Sequence, residues 1–126
     1  MSDPATSDPA IVRLELPAHP RFVAAARVVA TSLGAEAGFS VDDLDDLRLA
    51  VGELVATLID GAPASARVGL DYSSVGDLVT VRGRVDGADE PLVADELTRR
   101  ILSAVTDSFE LSNDSFSLTK SSQAEG

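Results

Sequence analysis

The chain reads as a single α+β domain, with helices packed on one face of an antiparallel or mixed β-sheet. Three observations lead there. Short segments alternate apolar and polar residues with a period of two, longer segments repeat apolar residues at helical spacing, and the two kinds follow in the order β-α-α-β-β-α-β-β. At 126 residues the chain is long enough to bury one core and too short for two.

The first strand is Ile11 to Leu16, with Val12, Leu14 and Leu16 on one side and Arg13 and Glu15 on the other. Pro17 ends it. Pro20 opens a helix at a position where a missing N–H costs nothing. Phe22, Ala26, Val29 and Leu33 form the apolar stripe of that helix, and Gly34 and Gly38 close it. The second helix has the clearest start. Ser40 is an N-cap with Asp43 three residues on, Phe39 and Leu44 occupy the staple positions, and Asp42 and Asp43 complement the positive end of the helix dipole. Leu44, Leu47, Val51, Leu54 and Leu58 make its stripe, and Gly61 and Pro63 stop it.

A hairpin follows. Ala66, Val68, Leu70 and Tyr72 alternate in one strand, Ser73 to Asp77 read as the turn, and Val79, Val81 and Val85 alternate in the other. Asp86 to Pro91 is a short polar loop. Leu97, Ile101 and Val105 mark a third helix, and a last hairpin pairs Phe109 and Leu111 with Phe116 and Leu118 around Asn113-Asp114. The sheet face away from the helices is expected to be polar, with Arg13, Arg67, Arg82, Arg84, Glu110 and Ser117. Arg82 and Arg84 there mark either a solvated face or a binding patch. Residues 1–10, with Ser-Asp-Pro-Ala twice, are expected to be a disordered tail, 11–120 the domain, and 121–126 a second loose end.

Composition narrows the function classes. No Cys is present, so disulfides and thiolate chemistry are excluded. His19 is the only His, too few for a zinc site, and its place before Pro20 at a helix start reads as a turn or cap rather than a catalytic base. A formal net charge of -11 disfavours direct nucleic-acid binding and suits a basic protein partner. No apolar run is long enough for a membrane span. The first residues lack the basic segment and apolar core of a secretory signal, and a cytoplasmic location is expected.

The phrase Asp46-Leu47-Arg48-Leu49-Ala50-Val51-Gly52-Glu53, preceded by Gly38-Phe39-Ser40, resembles the second helix of the anti-sigma-factor serine kinases of the RsbW and SpoIIAB type. These belong to the GHKL, or Bergerat-fold, ATPases. Phe116-Ser117-Leu118-Thr119-Lys120 resembles that family's last strand, and the element order fits from Ile11 to Lys120. The resemblance implies a GHKL-like sheet and helices with a nucleotide cleft between the second helix, the turn after the third strand, and a Gly-rich lid before the third helix. In that family the second helix carries a Glu that polarises a nucleophile and, four residues on, an Asn that holds magnesium. Here these positions are Glu53 and Thr57. The adenine-reading Asp-x-Gly-x-Gly motif is echoed only by Asp86-Gly87, which also reads as a plain turn. The lid is shortened or absent, and the acids Asp86, Asp89, Glu90, Asp95 and Glu96 occupy its place.

What the resemblance implies is therefore a degenerate regulatory protein, similar to the UsfX type in its compact link before the third helix. It would bind a sigma factor or its STAS-type antagonist and control bacterial transcription without efficient ATP use, with no cofactor and with a homodimer possible. The family's partner contacts lie on the first helix, which implies Arg21 and Arg27 here; Arg27 lies off the apolar stripe and is expected to point outward. Two alternatives stand beside it. One is an active Mg-ATP-dependent serine kinase with Glu53 as base, Thr57 as metal ligand and Asp86-Gly87 at the nucleotide. The other is an interaction module with a non-sigma partner. Glu53 and Thr57 also suit an ordinary solvated helix surface.

Overall fold

The computed structural model describes residues 10–88 and 91–122. Five strands, β1 (Ala10–Pro17), β2 (Arg67–Val75), β3 (Leu78–Val85), β4 (Ser108–Leu111) and β5 (Ser115–Ser121), form one sheet in the order β1-β2-β3-β5-β4. Every neighbouring pair is antiparallel, so the sheet is not mixed. Three helices, α1 (Val23–Glu36), α2 (Val41–Asp60) and α3 (Glu96–Val105), lie along the inner face. The α+β class and the order of elements are as the sequence predicts.

The period-two alternation sets which side chains meet. Leu14, Leu70, Gly83 and Phe116 fall in one register row across β1, β2, β3 and β5, and Val12, Tyr72, Val81 and Leu118 in the next. Gly83 has a packing role in its row: a Cβ there would overlap the Phe116 ring and come within 2.9 Å of Leu58. The absent side chain lets the aromatic ring and α2 settle onto the sheet. Leu47, Val51, Leu54 and Leu58 are fully buried, and Ala50, Val55 and Ile59 widen the apolar side of α2 toward its neighbours. Tyr72 is buried beneath α1, where its hydroxyl donates to the Ala26 carbonyl at 2.9 Å and burial pushes the phenol well above its ordinary pKa.

Several local expectations shift. Pro20–Phe22 form a 3-10 turn capped by His19, whose Nδ1 accepts from the Arg21 N–H at 3.3 Å. The helix proper therefore starts later, and its buried stripe is Val23, Ala26, Ala30 and Leu33, with Phe22 and Val29 only half-buried. Gly34 does not close α1. It is buried in the last turns, under Leu44 and Leu47 of α2, and Gly38 makes the exit. The β2–β3 turn is two residues, not five: Val75 pairs with Leu78, and Gly76 takes φ 60 at the first central position, as a tight primed turn requires. In α3 the deeply buried residue is Leu102, while Leu97 stands 67% exposed at the first turn. Ala10 and Ser121 belong to β1 and β5, and Ser122 donates to the Asp77 carbonyl at 3.1 Å; the rest of both expected tails, 1–9 and 123–126, lies outside the described residues.

The inner face also holds a charge. Lys120 follows Phe116 and Leu118 inward along β5, and both it and Asp43 are 3% exposed. Its Nζ lies 3.9 Å from carboxylate oxygens of Asp43 and of Asp46, at the start of α2. Asp43 also completes the capping box with Ser40. The cation thus compensates a buried carboxylate and ties the start of α2 to the end of the sheet.

Two outcomes follow for stability. Leu54→Ala should cost about 2–5 kcal/mol, read as a lower denaturation midpoint. Lys120→Met should cost about 3–5 kcal/mol because it removes the cation from beside the buried Asp43 carboxylate. Adding Asp43→Asn to Lys120→Met should recover part of that loss.

Candidate functional site

The last turns of α2 carry Glu53, Thr57 and Asp60 on the side away from the apolar stripe. Two hollows meet there. One, of about 310 Å³, lies between the entry to α1 and α2 and is lined by Pro20, Val23, Glu53, Ala56, Thr57, Ile59 and Asp60. The other, of about 420 Å³, lies between the end of α2 and the segment leading to α3, where Thr57, Asp60 and Gly61 face Pro91 to Asp95 and Thr98. Thr57 and Asp60 belong to both.

The chemistry of these walls is uniform. Among the described residues, Glu53, Asp60 and Asp95 supply three carboxylates, and no Lys or Arg lines either hollow. The end of α2 adds the partial negative charge of its terminal carbonyls. The Thr57 hydroxyl donates to the Glu53 carbonyl at 2.8 Å, so it turns back along its own helix. At the other wall, Asp95 caps α3, its Oδ1 accepting from the Thr98 N–H at 2.8 Å. That bond holds the Asp95 carboxyl below its ordinary pKa. The first turn of α3, where a helix offers amides to an anion, is thus occupied by a carboxylate of the chain itself. Among the described residues, no three His, Asp or Glu side chains come together as a metal site.

The segment before α3 is anchored. The Leu92 N–H donates to the Asn113 carbonyl at 3.1 Å, in the β4–β5 turn, and the Leu92 side chain is buried against the end of α2 near Gly61. Ala94 is buried as well. The sequence places this stretch in and after a polar loop, and the signal that points to its burial is the spacing of Leu92 and Ala94 on either side of exposed Val93. Asp89 and Glu90 lie outside the described residues.

The site residues expected from the sequence therefore divide. Glu53 and Thr57 share one wall. Asp86 and Gly87 do not join them: they form a turn after β3, with φ 77 at Gly87, beside Pro63, and line neither hollow. Arg21 stacks over the Phe22 ring, 5.0 Å from its centre. Arg27 is exposed, yet its guanidinium does not simply project outward. It lies across α2 at Gly52, where a Cβ would come 2.5 Å from Nε and 2.7 Å from Nη2. Gly52 is what admits the guanidinium to that position, a cross-helix relation that local spacing cannot reveal.

No family model matches the chain, and no curated protein matches it at a significant level. Among the described residues, no helix is long and apolar enough to cross a membrane.

Gly52→Ala tests the Arg27 placement. The substitution adds helix propensity to α2 and displaces only the end of an exposed Arg side chain, so stability should rise by less than the ~1 kcal/mol that Gly→Ala contributes within an exposed helix, read from the denaturation midpoint. Paired with Arg27→Ala, the same substitution should give the larger gain.

Proposed function

We propose that this protein is a degenerate anti-sigma-type regulator of GHKL-like fold. It acts by binding a sigma factor or its STAS-type antagonist, and it controls transcription without efficient use of ATP. The resemblance carried by Asp46 to Glu53, together with the order of strands and helices, supports the family. The single observation that supports loss of the nucleotide cycle is the filling of the first turn of α3 by Asp95, where the family's lid and helix amides hold phosphate. The acidic walls point the same way: three carboxylates with no facing cation repel a polyphosphate. The residues present do not fit Mg-ATP. Thr57 replaces the magnesium-holding Asn, and Asp86-Gly87 lies away from Glu53.

A protein-binding role needs only a fold and a surface. On this reading the surface is the α1–α2 layer, with the exposed Arg27 guanidinium lying over Gly52 as its cation. A guanidinium there can grip a carboxylate of the partner through paired parallel bonds. Glu53 then has no catalytic task.

Calorimetric titration with Mg-ATP tests the nucleotide half of the reading. Binding should be no tighter than the millimolar range, about -4 kcal/mol. Saturable micromolar binding would overturn it and restore the serine-kinase alternative. For the partner half, Arg27→Glu should weaken binding to a co-purifying sigma factor or antagonist at least tenfold, while Glu53→Ala leaves it unchanged. Equal affinity of the Arg27→Glu variant would remove this helix layer from the interface.

A further inference from the structure

Among the described residues nothing covers the opposite face of the sheet, because α1, α2 and α3 lie on the inner face. Its charge is unlike that of the chain as a whole. The outer face presents Arg13, Arg67, Arg82 and Arg84 against Glu15, Asp71 and Glu110, while the whole protein carries -11. Four of the chain's ten basic residues are thus gathered on one side.

The acids on this face are largely occupied. Asp71 is shared between Arg13 at 3.4 Å and Arg84 at 3.5 Å, and Glu15 is held by Arg67 at 2.7 Å. Arg82 makes no ion pair among the described residues. Two hollows of about 380 and 240 Å³ adjoin at Asp71 and Arg82. The first has Arg84, Ser115, Ser117 and Glu110 in its wall, the second Arg13 and Thr80. Arg82 and Arg84 are two residues apart on β3, so their side chains leave the same face about 7 Å apart. That is also the repeat of alternate side chains along any extended chain. Ile11, Val75 and Leu78 add exposed apolar surface toward one end of the same face, which a peptide can use and a simple anion cannot.

We propose that the outer sheet face, centred on Arg82 and Arg84, docks an extended acidic segment of a partner protein, with carboxylates at alternate positions gripped by the two guanidiniums and by the hydroxyls of Ser115 and Ser117. Arg binds carboxylates through paired parallel bonds, and Ser hydroxyls supply further donors in the same hollow. This surface faces away from Arg27 and Glu53, so it is independent of the helix-layer reading.

The test uses the full chain and a short synthetic peptide alternating glutamate and threonine, with its lysine counterpart and inorganic polyphosphate as controls. Binding is followed by amide chemical shifts. The glutamate peptide should shift β3 and β5 amides, weaken as salt rises, and bind at least tenfold less well to Arg82→Glu/Arg84→Glu; the lysine peptide should leave those amides unmoved. Shift mapping on the parent protein gives the answer even if the double variant fails to fold. The proposal is overturned by shifts confined to the helices, by equal affinity of a folded double variant, or by tighter binding of polyphosphate than of the peptide. Sedimentation showing a parent dimer that the double variant dissolves would also overturn it, because a second copy would then cover the face.

Discussion

The burial of α2 on the inner face of the sheet is the constraint on which the rest depends. Leu47, Val51, Leu54 and Leu58 give up all their exposure to it, and each such side chain contributes on the order of 2 kcal/mol. Gly83 makes room for Phe116 and Leu58 from below, and Lys120 sets one positive charge beside Asp43 and Asp46 at the start of the helix. With α2 fixed at both ends, the direction of its remaining sides follows. Glu53, Thr57 and Asp60 face the hollows, and Gly52 meets α1.

That fixed helix also divides the molecule electrically. The end of α2, the cap of α3 and the hollows between them are lined with carboxylates, whereas the outer sheet gathers arginines. Between those sides lies a core that holds Lys120 beside the buried Asp43 at the start of α2. A domain with an acidic rim on one side and a basic plane on the other has two chemically distinct surfaces to offer.

Much of the fold was legible in the sequence because its strands alternate cleanly and α2 has an unambiguous start. Ser40, Asp43 and the stripe from Leu47 to Leu58 are local signals, and they behave locally in the structure. Boundaries were less legible where tertiary packing overrides a local stop. Gly34 looked like an exit but lies beneath Leu44 and Leu47, and Ser73 to Val75 looked like a turn but extend β2. At the candidate site, Glu53 and Thr57 could be placed together by helical spacing alone. The seat of Arg27 on Gly52 could not, because it joins two helices distant in sequence. The burial of Leu92 and the Asp95 cap, by contrast, carry local signals, Ala94 two residues on and Thr98 three residues on, set in a short link that reads as polar loop. Lys120 was hidden differently: alternation with Phe116 and Leu118 aims it inward, but only the acids of α2 make that position tolerable.

The segment before α3 is anchored to the sheet through Leu92. Native-state hydrogen exchange at the Leu92 amide, with and without Mg-ATP, tests it most directly. Bonded to the Asn113 carbonyl and covered by packing, that amide should exchange slowly and at the same rate in both conditions. An amide that exchanges freely in the protein alone and becomes protected when Mg-ATP is added would instead show a segment that closes on nucleotide.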